Sequence, residues 1–286
     1  MRVVIVTMVV PVARVLTAIL RALGHDVPGV VAMRNARNAD GLAELIRNPE
    51  AGLELVVVSG PDRIAPLLRA FEPDLVVCSG FGWLIPSESL AVPRLGILNG
   101  HPSLLPKYRG PNPFGWTFRN GDDELGYTFH LMDTQFDTGP ILAQGTRPLT
   151  DDDSVHDIME LVPPLITKLL PKALARLESG DRGDPQPTEG ASYAPRFEDE
   201  YAEIDWTRPA REVHNQVRSW FLPSVSGIMG ALTTLDGERV RVKLTRLMDE
   251  RSNAAVPGTI LAREDGELVV QCRDGPIRVV RAEPAV

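Results

Sequence analysis

Cysteine is scarce: two in 286 residues, Cys78 and Cys272, each inside an apolar, strand-like run. Two distant thiols build neither a disulfide framework nor a zinc site, and they read as buried structural thiols of a reducing cytoplasm. No run of about 18 apolar residues occurs. The chain opens directly on a strand-like segment, so neither a membrane span nor a signal peptide is expected. Positive charge is short as well: 30 Lys and Arg against 38 Asp and Glu leave a net charge of -8. That balance argues against a broad nucleic-acid surface, though a local basic patch is compatible with it. Glycine is missing from the turn after the first strand, Thr7-Met8-Val9-Val10-Pro11-Val12. Such a turn forms neither a dinucleotide fingerprint nor a phosphate cradle, which disfavours a nicotinamide-dependent dehydrogenase. No internal repeat is found. What remains, 43% hydrophobic and 24% charged residues, is an ordinary soluble composition with enough chain for one large core or two smaller ones.

The periodicities alternate. Arg2 to Met8 is a short, β-branched, continuous apolar run, as a buried parallel strand requires, and Val15 to Leu23 follows with helical spacing. Further strands are predicted over Val27 to Met33, Leu53 to Val58 and Asp74 to Ser79, with helices near Gly41 to Arg47 and over Ile64 to Phe71. This alternation predicts an α/β fold with a Rossmann-like, doubly wound, mainly parallel sheet, whose ligands sit beyond the carboxyl ends of the strands. Phe114 to Asn120 reads as helix, and Gly126 to Met132 and Ile141 to Gly145 as strands. Val155 to Leu177 reads as a helical region that Pro163-Pro164 and Pro171 should break or kink. A polar, turn-rich stretch from Glu178 to Thr188 is the candidate linker. Beyond it come an amphipathic helix, Ala210 to Trp220, and short strands over Arg239 to Leu247, Gly258 to Ala262, Glu267 to Cys272 and Ile277 to Val280. Turns at Asp236-Gly237 and Asp265-Gly266 separate them, as in a small β-rich module.

Two polar stretches carry chemistry. In Leu98-Asn99-Gly100-His101-Pro102, Asn99 and His101 stand at i and i+2, so a continuing strand sends both side chains to one face. The second, Met132-Asp133-Thr134-Gln135-Phe136-Asp137-Thr138-Gly139-Pro140, is a turn-rich loop with a carboxylate in its middle. A carboxamide, an imidazole and a carboxylate suit acyl chemistry: one holds a developing oxyanion, one moves a proton, one tunes the imidazole. Of the other histidines, His130 reads as a structural strand residue ahead of an acceptor contact, and His25, His156 and His214 as surface or helix residues. Trp206 and Trp220 read as packing of the tail module.

The run from Phe71 through Ala143 resembles the 10-formyltetrahydrofolate-dependent formyltransferases, which include the methionyl-tRNA, glycinamide-ribonucleotide and amino-sugar enzymes. Asn99-x-His101, Ser103-Leu104-Leu105-Pro106, Tyr108-Arg109-Gly110 and Asp137-Thr138-Gly139 carry the resemblance. Weaker similarity runs through Ala191-Ser192-Tyr193-Ala194, Ile204-Asp205-Trp206 and Val256-Pro257-Gly258-Thr259-Ile260, toward the linker and OB-like C-terminal domain of the methionyl-tRNA enzymes. The resemblance implies a catalytic domain over 1–180, a linker over 181–200 and an OB-like domain over 201–286. It implies Asn99, His101 and Asp137 as the catalytic set, with a protonated His101 kept charged by Asp137, and 10-formyltetrahydrofolate as co-substrate without a metal. Phe81, Trp83, Leu84, Ile85, Ser103, Leu104, Gln135 and Phe136 would hold the folate, and Tyr108, Arg109, Asn112 and Phe114 the acceptor. The methionyl-tRNA enzymes carry a basic loop after the second strand, whereas residues 33–50 here offer only Arg34, Arg37 and Arg47, which implies weaker tRNA binding. The expected acceptor is therefore a small amine or hydroxylamine: an N-hydroxyornithine-type siderophore precursor or a nucleotide-linked amino sugar. Methionyl-tRNA formylation, 10-formyltetrahydrofolate hydrolysis and a folate-binding module with a relict site are the competing readings. The tail module is compatible with substrate binding, with a homodimer, or with capping the first domain.

Overall fold

A computed structural model of the chain describes residues 1–33, 42–43, 46–47, 52–249 and 255–285. Three residues of the helix expected at 41–47, namely Gly41, Glu44 and Leu45, lie outside the described residues, as do Arg34 and Arg37. Contacts divide the chain into two units: Met1–Gly110, Gly126–Arg147 and Met159–Tyr193 form the first, and Pro111–Leu125, Pro148–Ile158 and Ala194–Val286 the second.

The first unit is built on a seven-stranded sheet: β1 Arg2–Thr7, β2 Asp26–Met33, β3 Glu54–Val58, β4 Leu75–Ser79, β5 Ile97–His101, β6 Glu124–Leu131 and β7 Ile141–Pro148. Their order is β3-β2-β1-β4-β5-β6-β7, with β3 through β5 parallel and β6 antiparallel to β5. The middle of β1 is apolar without alternation because both faces are buried, as Val3, Val4, Ile5 and Val6 show. Helix α1, Val10–Ala22, packs on β1 and β2, and it begins five residues earlier than expected because Pro11 fits the first helical turn. Helix α2, Ile64–Phe71, gives Ile64 and Leu68 to a core with Val4, Val31, Val76, Cys78 and Ile85. Among the described residues, no helix is long and apolar enough to cross a membrane.

Helix α3, Pro113–Asn120, belongs to the second unit, and helix α4, Ile158–Glu178, follows β7. Pro163, Pro164 and Pro171 lie inside α4 without ending it, so of the expected break or kink the break does not occur. Leu161, Val162, Leu165, Ile166, Leu169, Leu170, Leu174 and Leu177 are all buried. At about 1.5–3 kcal/mol per buried aliphatic side chain, that stripe outweighs the ~3 kcal/mol that each proline costs.

Residues 181–193, read from sequence as linker, are hydrogen-bonded into the first unit; Asp184 exchanges both backbone bonds with Ile141. The boundary differs from 1–180 for that reason, and because 111–125 and 148–158 fold with the second unit.

In the second unit, strands β8 Ala231–Leu235, β9 Glu238–Leu247, β10 Ile260–Glu264, β11 Glu267–Gln271 and β12 Pro276–Pro284 form a sheet in the order β10-β11-β12-β9-β8, antiparallel throughout. Asp236-Gly237 and Asp265-Gly266 both have positive φ, as tight hairpins demand. Strand β8 was not read from the sequence. Helix α5, Ala210–Arg218, packs on β9, and Trp220, Phe197, Val213 and Val217 fill the core between sheet and helix. Arg119 lies over the rings of Tyr201 at 4.0 Å and Trp116 at 4.5 Å. Both cysteines are buried and unbridged.

Candidate active site

Strand β5 runs through His101, so Asn99 and His101 share one face, and both are buried. Gly100 lies between them because Tyr127 needs the space: a Cβ there would overlap the Tyr127 hydroxyl, which bonds Ser79 Oγ at 3.1 Å. The antiparallel register sets His130 directly opposite Asn99 and Thr128 opposite His101. Directly opposite residues share a face, and Asn99 Nδ2 lies 3.0 Å from His130 Nε2. His130 Nδ1 donates to the Leu131 carbonyl at 3.0 Å, which leaves Nε2 as the acceptor of one Asn99 hydrogen. The other Asn99 hydrogen goes to Asp137 Oδ1 at 3.3 Å.

Asp137 arrives on the loop after β6 with φ +55°, a left-handed conformation that Asp tolerates. Asp133 frames the loop by accepting from Gln135 N and Thr138 Oγ1. Gly139 is fixed by a close approach, since a Cβ would overlap the Leu131 carbonyl. Asp137 Oδ2 accepts from Gly110 N at 2.8 Å, and Oδ1 lies 3.5 Å from both His101 Nδ1 and His130 Nε2. Burial pushes this carboxyl up, but the imidazoles and the Gly110 amide outweigh it and hold the pKa at about 2. Asp137 is therefore ionised at neutral pH.

His101 Nε2 donates to the Tyr108 carbonyl at 2.8 Å, which leaves the Nδ1 lone pair facing Asp137 in the neutral imidazole. Burial lowers the His101 pKa, and Asp137 and the Tyr108 carbonyl only partly offset it. The free protein thus holds a neutral His101 at pH 7, where the sequence reading expected a charged one. The reason is the depth of the site.

The remaining predicted residues separate. Phe81 and Trp83 meet edge to face at 5.6 Å against the core that contains Ile85, while Leu84 is exposed. Ser103 is buried and donates to the Lys107 carbonyl, and the backbone at Leu104 packs against Gly126. Tyr108 has a buried ring, and its backbone holds His101. Gln135, Phe136 and Arg109 line one open cavity of about 460 Å³ with Thr138, Ala191, Ser192 and Tyr193. That cavity joins residues expected at the folate with one expected at the acceptor. Asn112 and Phe114 lie in the second unit, where Asn112 is buried and Phe114 meets Phe221 at 5.2 Å. Among the described residues, no cluster of three His, Cys, Asp or Glu is placed to hold a metal ion.

Sequence reasoning did not place His130 in the cluster. The signal was its alternation with Thr128 along one strand, which becomes meaningful only once the β5–β6 register is known. It also gave Gln186 no role.

The mainly parallel sheet with its antiparallel β6 thus brings the Asn-His-Asp cluster together at the end of β5. The family model described as "Formyl transferase" matches residues 30–174, and "Formyl transferase, C-terminal domain" matches 196–285. The chain belongs to the formyl transferase family. A methionyl-tRNA formyltransferase of Pelobacter propionicus is 38% identical over 74% of this chain and 64% of its own length. One from Pseudomonas putida is 33% identical over 92% of this chain and 74% of its own. Among solved structures, WlaRD, a sugar 3N-formyl transferase crystallised with dTDP and 5-N-formyl-THF, superposes with TM-score 0.68 at 18% identity, covering 100% of this chain and 99% of its own. HypX from Aquifex aeolicus in complex with tetrahydrofolic acid gives 0.72 at 21%, covering 100% of this chain and 44% of HypX. These structural likenesses concern the fold alone. The chain spans less than two thirds of the length of the Pelobacter relative and less than half of HypX.

Proposed function

We propose that the protein transfers a formyl group from 10-formyltetrahydrofolate to an amine. The observation that carries this reading is the cluster of buried Asn99 and His101 with the partly buried Asp137, in a chain of this family. When bound, the folate supplies the formyl carbon. Two separate apolar groups offer contact to a flat pterin: Phe81 and Trp83 with the exposed Leu84 on one loop, and the exposed Phe136 on another.

The side chains divide the work. Asn99 spends its second N–H on Asp137 through a 3.3 Å bond, the weaker of its two, and that hydrogen is the one available to an oxygen gaining charge. Removing one such donor typically costs about 2.7–4 kcal/mol of barrier. Neutral His101 offers its Nδ1 lone pair to the proton of the attacking amine, and the ionised Asp137 stabilises the imidazolium that results. Gly110 N and His130 keep Asp137 and Asn99 from rotating away.

Methionyl-tRNA is the acceptor best supported, because relatives matched across most of this chain carry that activity in their names. The small-amine reading stands second, on the net charge of -8 and the three arginines in 33–50. Release of tetrahydrofolate, followed by absorbance, tests both against charged initiator tRNA, N-hydroxyornithine, nucleotide-linked amino sugars and no acceptor. Turnover with tRNA that collapses as salt rises supports the first reading, and turnover with one small amine alone supports the second. Formate release without acceptor would replace both with a hydrolase.

A further inference from the structure

One loop holds two ionisable members of the cluster: the Tyr108 carbonyl accepts from His101 Nε2, and Gly110 N donates to Asp137 Oδ2. A second loop, 133–139, carries Asp137 itself. Neither loop is anchored only by its own strand. The segment after α4 crosses them both. Ser192 Oγ accepts from Tyr108 N at 2.9 Å, Arg109 N donates to the Ser192 carbonyl at 2.9 Å, and Ser192 N donates to the Pro106 carbonyl at 3.1 Å. Gln186 completes the crossing. Its Nε2 donates to the Asp137 and Gly139 carbonyls, both at 2.8 Å, and its Oε1 accepts from Arg109 Nε at 3.0 Å and Nη2 at 2.7 Å.

The side-chain amide thereby spends both donors and both lone pairs. Its donors hold the backbone on either side of Thr138, at the one place where the chain adopts the left-handed conformation that aims Asp137 inward. Its acceptor is tied to the residue between Tyr108 and Gly110. Each bond is worth little alone. Their geometry, however, fixes the distance between two loops whose side chains must meet, and a misplacement of about 1 Å in a reacting group can cost 10²-fold in rate.

We propose that Gln186 is a positioning residue of the catalytic centre, acting through the Asp137 backbone and through Arg109 to hold Asp137 against His101. The proposal rests on the formyl-transfer reading above for its kinetic test but not for its spectroscopic one. Gln186 is only half-buried on a surface segment, so its substitution leaves the core intact. Gln186→Met keeps the length and removes all four bonds, and Gln186→Glu keeps the acceptor for Arg109 while presenting no donor to the two carbonyls.

In the full chain, both variants should lose tenfold or more in kcat, with KM for the formyl donor within about threefold. Gln186→Met should also move the His101 imidazole titration, followed by NMR and assigned with a His101→Asn variant, down by about half a unit or more, because the carboxylate that raises it has drifted. A wild-type protein that transfers no formyl group defeats the functional reading while the NMR titration still tests the placement. An unmoved His101 midpoint in Gln186→Met, or kcat within twofold in both variants of an active enzyme, overturns the proposal.

Discussion

Gly100→Ala tests whether the site is held by packing behind it as well as by hydrogen bonds within it. A Cβ at this position would overlap the Tyr127 hydroxyl and lie 3.0 Å from Cζ and 3.1 Å from Cε1. Tyr127 has little room to retreat: it is 1% exposed, its hydroxyl bonds Ser79 Oγ, and its ring meets Phe129 at 5.4 Å. Overpacking of this kind costs about 1–3 kcal/mol. The strain falls between Asn99 and His101, so kcat should fall about 10- to 100-fold as their placement shifts. Tyr127→Phe removes the clashing oxygen at a cost of about 0.5–1.5 kcal/mol for the lost bond to Ser79. In the double variant the clash shrinks to the ring carbons, so its destabilisation should fall short of the sum of the singles by about 1 kcal/mol, and kcat should partly recover. Urea unfolding and tetrahydrofolate release, measured on all four proteins, give the cycle. Additivity within about 0.3–0.5 kcal/mol together with unrecovered kcat would refute the argument that Tyr127 dictates the glycine.

Further outcomes follow from the site and the core. Asn99→Ala should lower kcat about 10²–10³-fold with little change in KM, as expected for an interaction strengthened in the transition state; an equal loss in KM alone would make Asn99 a binding residue. His101 and His214 are both buried, and burial lowers both pKa values. Below about pH 6.5 the unfolded chain takes up protons that the native state refuses, so stability falls with pH from there toward the lowered native values. Asp137 is also displaced downward from its reference, so its contribution is present above about pH 4 and is lost only between about pH 4 and pH 2. A thermal midpoint that stays level from pH 7 to pH 5 would contradict the histidine part. Arg119→Ala removes contacts with the Tyr201 and Trp116 rings and should cost about 1–2 kcal/mol, read by urea unfolding, with Arg119→Lys recovering part of it.

The strands and helices of the first unit were legible because their apolar spacing matches one period at a time, and Ile64–Phe71 agrees to the residue. Asn99 and His101 were legible for the same reason, since a two-residue spacing on a strand is a local fact. His130 and Gln186 were not. His130 acquires its partner from an antiparallel register, and Gln186 bonds backbone carbonyls 47 and 49 residues earlier, which no side-chain pattern announces. Helix α4 runs on through its prolines because its buried stripe outweighs their local cost. The polar composition of 178–188 suggested a tether for a physical reason that does hold, namely few apolar groups; its order comes from hydrogen bonds instead.

The two units are interleaved along the chain, which passes between them after Gly110, Leu125, Arg147, Ile158 and Tyr193. A graft that exchanged everything after Tyr193 for the tail of a relative would look modular on paper. It would leave Trp116 and Arg119 behind, stranded from Phe197 and Tyr201, the partners that cover them. The second unit is thus not a cassette to be swapped at a single junction; a working chimera must carry 111–125 and 148–158 along with the tail.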